Sequence, residues 1–367
     1  MRRLLCLLAL AVAPVALALT RSTAAAPSRY EDVIDMALAG VDVGQPLRYE
    51  QLIVFPLEST GKAPYGQLPA ELATLDEALH EGYLTITEVG AGRVNEVYVD
   101  NTSGRYVFMM AGEVIAGAKQ DRMISHDTLV PPKSGRIVVG VYCTERGRWS
   151  DTAAAFGASG IGVYPGLRAT AIASGSQSAV WDEIRRKRAS AAASAPTEAL
   201  RSIQTDARVQ RRIQSYRESQ LGKLPETSPR VVGAVVFTRW GVSAVDLFGS
   251  HDLLRRLWGK LLDSYAMEAV GPDDRAVPPS WTADPSAARR FLRRVAAASI
   301  ERRSTPGVGR LWALRNADVT GEALTFQEGL VHLEAFPARG LQPLREGEPG
   351  SLSSPYRVVP RPGPPRM

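Results

Sequence analysis

Strand-forming and helix-forming segments in this chain come in blocks, not in strict alternation, and that ordering limits the fold more than any single motif. Runs rich in β-branched and aromatic residues fall at 52–57, 83–89, 94–99 and 106–110. Asn101-Thr102-Ser103-Gly104 between the last two reads as a hairpin turn. Residues 74–79 look like a capped helical turn, and 137–143 like a strand apolar enough to be buried on both faces. An Ala/Gly/Ser-rich stretch at 150–178 reads as an extended loop. Helical spacing follows at 181–194 and 197–221, and a second β stretch at 231–248. Ser250 is placed to cap a helix over 251–269, and another helix is expected over 285–302. Strands at 311–315, 323–327 and 330–336 close the pattern. The expectation is an α+β fold with antiparallel-rich sheets and a helical middle section, in a single large domain.

The ends of the chain read differently. Met1-Arg2-Arg3, an apolar run from Leu4 to Leu19 and the small residues Ala24-Ala25-Ala26 form a signal-peptide pattern over residues 1–25. That run contains Pro14 and falls short of the roughly 20 residues a spanning helix needs, so no stable transmembrane segment is expected after processing. The chain is therefore expected to be exported, to the periplasm or beyond. Cys6 would leave with the signal, so the mature chain keeps one thiol, Cys143, and no internal disulfide. Residues 26–46 read as a polar lead-in linker with a short amphipathic stretch at 30–38. Residues 338–367 read as a proline-rich tail that cannot build a core, and 47–337 as the domain.

A hydrophobic fraction of 45% excludes disorder throughout. The net charge of +6 comes with arginine clusters, Arg185-Arg186-Lys187-Arg188 and Arg208, Arg211, Arg212 and Arg217. Asp182, Glu183, Asp206 and Glu218 interleave with them and no aromatic platform accompanies them, so a solvated helix face is expected and nucleic acid is not an expected partner.

The densest polar segment is Gly112-Glu113-Val114-Ile115-Ala116-Gly117-Ala118-Lys119-Gln120-Asp121-Arg122, following an apolar strand. Its glycines suit close backbone approach to a ligand. A second segment, Tyr142-Cys143-Thr144-Glu145-Arg146-Gly147-Arg148-Trp149, leaves another strand. Lys119, Arg122 and Arg148 could together hold a phosphate or carboxylate, with Gln120 and Trp149 alongside. The competing reading makes these charges structural ion pairs at strand ends.

Both segments, with Val130-Pro131-Pro132, Val180-Trp181-Asp182-Glu183-Ile184, Asp246-Leu247-Phe248-Gly249-Ser250, Leu257-Trp258, Ser264-Tyr265 and His332-Leu333-Glu334-Ala335-Phe336, carry a resemblance. The chain resembles the ARG and Rhodanese-Phosphatase-superfamily-associated protein domain family over roughly 47–337. The family name implies association with ADP-ribosylglycohydrolase-like and phosphatase-like proteins, and hence nucleotide or ADP-ribose chemistry. Association is not mechanism.

Two catalytic schemes are open. Glu113 and Glu145 could perform acid/base work on an anionic ligand held by Lys119, Gln120, Arg122 and Arg148. Alternatively, Cys143 could act as nucleophile with His126 as base and Glu145 orienting it. His80, His126, His251 and His332 show no metal-ligand spacing, and no phosphate loop, nucleophile elbow or dinucleotide fingerprint occurs. No metal or cofactor is expected. The functional expectation is a protein that binds a small anionic ligand of nucleotide, ADP-ribose or sugar-phosphate type, with processing of that ligand left open. The alternative is a non-catalytic envelope or interaction module whose polar motif is structural.

Overall fold

The strands that look apolar from end to end are those covered on both faces. In Val231–Thr238 every residue is buried. Val232, Val235 and Phe237 enter one hydrophobic cluster, while Ala234 and Val236 enter another on the opposite side. Period-2 geometry thus divides one apolar run between two cores. The computed structural model describes residues 30–61, 65, 68–90, 92–145, 154–191, 199–271, 283–338, 341–343 and 356–358.

Val231–Thr238 lies inside a nine-stranded sheet whose pairings are all antiparallel. Three of its strands come from residues 41–59, and the rest from 231 onward. Between them the chain builds a closed barrel from Leu84–Glu88, Glu96–Asn101, Glu113–Gly117, Arg122–Ile124, Gly135–Cys143 and Phe156–Gly162. A small three-stranded sheet, Leu72–Thr74, Tyr106–Met109 and Thr128–Val130, adjoins it. Ile86, Val97, Val99, Ile115, Ile124 and Val141 are buried together with this part of the chain.

Helices cover both faces of the large sheet. Tyr30–Ala39 and Pro285–Ala296 share one cluster with it through Ile34, Ala37, Phe291 and Val295. Pro165–Ser174 and His251–Ala269 cover the other, with Gln177–Ser190 packed on the first and Ala207–Glu218 on the second; of these, His251–Ala269 is the longest. His251–Ala269 also contacts the barrel, so it lies between sheet and barrel. It starts where expected: the Ser250 hydroxyl accepts from the Leu253 amide. Thr74 and Glu77 form a reciprocal capping box ahead of Leu75–His80, Glu77 accepting from the Thr74 amide at 2.8 Å.

The fold is α+β with antiparallel sheets in one domain, as the block pattern implies. Several local readings are corrected. The lead-in at 26–46 contributes the Tyr30–Ala39 helix, with Val33, Ile34, Ala37 and Leu38 buried, and the strand Val41–Val43. Its apolar residues recur at helical spacing and find a sheet face to cover. The stretch 150–178 holds the strand Phe156–Gly162 and the helix Pro165–Ser174 instead of a loop. Alanine is a strong helix former, and Pro165 at the first turn with left-handed Gly175 at the end frames the helix. Residues 101–104 do not join a hairpin. Glu96–Asn101 pairs within the barrel and Tyr106–Met109 within the three-stranded sheet. Buried Asn101 accounts for this: its amide donates to the carbonyls of Arg105 and Pro131 and pins the crossing between sheets.

The strand Gly135–Cys143 is buried at Val139 and from Val141 onward, with Val138 exposed. The helix expected over 197–221 is broken at Asp206, whose carboxylate caps a new start at Ala207. Ser299–Arg303 is a strand, not the end of the preceding helix. Of the tail, Ala338 and the short antiparallel pair Leu341–Pro343 and Tyr356–Val358 are described. The signal-peptide segment lies outside the described residues. No helix among the described residues is long and apolar enough to cross a membrane.

Candidate functional site

Three adjacent central strands each place an acid at the same level of the ladder. Asp246 in Gly241–Phe248 is the direct cross-strand partner of Glu334 in Gly329–Pro337. Glu334 is in turn the direct partner of Glu322 in Val319–Phe326. All three are buried. Like charges directly opposite one another repel, so this row requires compensation.

Compensation arrives from three directions. Arg168, from the helix Pro165–Ser174, is itself buried and forks onto both oxygens of Asp246 at 2.6 and 2.9 Å. The same guanidinium reaches Glu334 Oε2 at 2.9 Å. The Tyr265 hydroxyl donates to Asp246 Oδ2 at 2.5 Å. His332, two residues before Glu334 on the same strand, lies between Asp246 (3.2 Å) and Asp127 (2.7 Å), and its ring stacks on Phe248. With a carboxylate on each ring nitrogen, both nitrogens donate and the ring is an imidazolium. Burial alone would depress this histidine, but Asp127 and Asp246 overcome it and push its pKa up to about 10.

Asp127 and His126 come from the turn between the barrel strand Arg122–Ile124 and Thr128–Val130. The Asp127 amide donates to Glu322 Oε1 at 3.1 Å, and His126 Nδ1 donates to Glu322 Oε2 at 2.8 Å. Asp127 Oδ1 accepts from the Ala111 amide at 2.8 Å. The side chain of His126 is 42% exposed and Glu322 only 4%, so His126 forms the outer rim of the network. Burial would raise Asp246, but Arg168 and His332 hold it well below the usual carboxylate range. Glu334 goes the other way: burial raises it, Arg168 opposes, and Asp127 and Glu322 push it further up.

The residues singled out in the sequence lie apart from this network, in two groups. Glu113 begins a barrel strand, is fully buried, accepts from the Met110 amide at 2.7 Å and pairs with Lys260 Nζ at 2.5 Å. Lys260 also bonds Asp76 at 2.7 Å, tying the long helix to the barrel side of the molecule. Burial disfavours that ammonium, but Glu113 and Asp76 more than offset it and raise its pKa. The second group forms around Arg122, which is also fully buried and donates to Gln120 Oε1 at 3.0 Å, to both oxygens of Glu88 at 3.4 Å and to Cys143 Sγ. Gln120 donates onward to the Glu145 carbonyl at 3.0 Å, and the Lys119 amide donates to Glu88. Lys119, Gln120, Arg122 and the Glu145 backbone are thus brought together. Glu113, at the far end of its strand, takes different partners. Arg148 and Trp149 lie outside the described residues.

Two expectations for these segments change. His126 bonds Glu322, not Cys143, and Cys143 is fully buried with its thiol pushed up to about 11, chiefly by burial. That is the setting of an inert core cysteine, not a nucleophile. Gly112, at φ +83°, does allow a close approach, but to Arg168: a Cβ there would meet its Cγ and Cδ at 2.8 Å. Two surface hollows of about 350 and 430 Å³ lie elsewhere, one beside Ser174 and Arg315, the other beside Arg105 and Arg256.

The acid row is not visible as a motif because its members, at 246, 322 and 334, belong to separate strands. A signal was present: Asp246, His332 and Glu334 interrupt strands that are otherwise apolar.

Together these features define an α+β protein in which an antiparallel sheet and a small barrel are locked to each other through buried charge. The chain belongs to the ARG and Rhodanese-Phosphatase-superfamily-associated Protein domain family, which matches residues 40–336. No curated protein and no solved structure matches it.

Proposed function

We propose that this protein is a non-catalytic envelope or interaction module in which the 112–122 motif is structural. One observation carries this reading: Glu113 and Arg122, the two charges on which catalysis and anion binding would most depend, are fully buried and engaged with Lys260 and Glu88. A buried carboxylate bonded to a buried ammonium is committed to that partner, and a guanidinium already on a carboxylate has little left for a phosphate. The leader pattern at residues 1–25 supports a site of action outside the cytoplasm; amino-terminal sequencing of protein recovered from fractionated cells tests that part.

The module reading is tested by thermal shift with ADP, ADP-ribose and a phosphosugar, alongside urea unfolding of Glu113→Gln. The expected result is no ligand shift, and a loss of about 1–3 kcal/mol of stability as Lys260 loses one of its two carboxylate partners and keeps Asp76. A ligand shift abolished by the Lys119→Ala/Arg122→Ala double substitution, with Glu113→Gln as stable as the parent, would overturn it in favour of small-anion binding.

A further inference from the structure

We infer that Asp127, Glu322 and Glu334 form a binding site for one hard divalent cation, a property separate from the module reading above. Each of these three buried side chains offers an oxygen, and those oxygens lie within 4.8 Å of one another. Cation–oxygen distances of roughly 2.0–2.6 Å fit a set of that span. An all-carboxylate donor set with no thiolate suits magnesium, manganese or calcium better than softer metals.

The allocation of hydrogen bonds supplies the independent observation. Both oxygens of Asp127 and both of Glu322 accept one hydrogen bond each. Glu334 Oε2 accepts from Arg168, but Glu334 Oε1, on a fully buried residue, has no hydrogen-bond partner. A buried carboxylate oxygen without a partner is costly and rare. A cation shared with Asp127 and Glu322 satisfies it, and relieves the repulsion between Glu322 and Glu334 across the ladder. The surroundings resemble an outer coordination shell: His332, His126, Arg168 and two backbone amides orient the three carboxylates from behind. Each accepting oxygen keeps a second lone pair for the metal. His126 marks the approach from solvent. Sequence spacing of histidines misses such a site because its donors are carboxylates from one turn and two strands.

Mn²⁺ is the probe. Protein treated with chelator and returned to metal-free buffer is titrated with Mn²⁺ and followed by the loss of the free-ion electron paramagnetic resonance signal. One Mn²⁺ per chain is expected for the parent, with a rise in Tm on saturation. Glu334→Gln keeps an acceptor for Arg168 but loses a charge, and is expected to weaken Mn²⁺ binding by about tenfold or more. Glu322→Gln provides the same readout should the first variant fold poorly. A parent protein that leaves the free-ion signal undiminished at millimolar Mn²⁺ overturns the inference, as does undiminished affinity in the substituted protein.

Discussion

Asp127 accepts the Nδ1 proton of His332 at 2.7 Å, joining two residues 205 positions apart. One belongs to the turn leaving the barrel, the other to a central strand of the large sheet. Because both are fully buried, the bond is unscreened, and it fixes how barrel and sheet sit against each other.

Arg168 balances Asp246 and Glu334 from the opposite side. Arg168→Met keeps the aliphatic bulk over Phe336 but leaves Asp246 without its principal counter-charge. A loss of about 3–5 kcal/mol is expected, the magnitude typical of breaking a buried pair on one side. Urea unfolding with an unchanged slope and a lowered midpoint checks it.

Gly112→Ala should destabilise although it adds only a methyl group. The backbone there is left-handed, and the new Cβ would collide with the Arg168 stem at 2.8 Å. About 1–3 kcal/mol is expected from strain and displacement of Arg168. Comparison with Gly82→Ala, also left-handed but with open space around it, separates the collision from the backbone cost.

Cys143 gives an alkaline signature. A thiol whose native pKa is raised keeps its proton longer in the folded state than in the unfolded one. Its contribution is therefore complete below about 9 and fades as pH rises through about 11. Two pH units of displacement correspond to roughly 2–3 kcal/mol. Stability measured across that window should fall more steeply for the parent than for Cys143→Ala. In the same protein at neutral pH, alkylation at residue 143, read by peptide mass, should require denaturant.

Thr74→Ala removes one half of the capping box ahead of Leu75–His80 and should cost about 1 kcal/mol. Thr74→Ser should restore most of that loss, because the hydroxyl rather than the methyl group carries the cap.

What could be read from residues alone was local and periodic. Ser250 as a cap, the apolar face of His251–Ala269 and the strands at 311–336 all follow from spacing of a few residues. The 112–122 segment was legible as a place where charge matters, but not in what way. Whether Glu113 faces a ligand or Lys260 depends on a helix 147 residues further on. The acid row is harder still. Asp246, Glu322 and Glu334 acquire meaning only from strand order, which places 246 beside 334 and 334 beside 322. Likewise, Asn101 resembles a hairpin residue until the partners of its flanking strands are known.

The last of the early strands of the large sheet is Leu52–Ser59, and its neighbour toward the sheet centre is Val231–Thr238. A ribosome emitting about 5–20 residues per second must finish the whole barrel and the helical middle before that neighbour exists. The strand bearing His332 and Glu334 follows almost at the end of the domain. Until then Asp127 and Asp246 lack His332, and Arg168 lacks Glu334. The closing strand thus completes the network last: the Arg168–Asp246 pair is already present in the chain, but the histidine that bridges Asp246 to Asp127 arrives only with it.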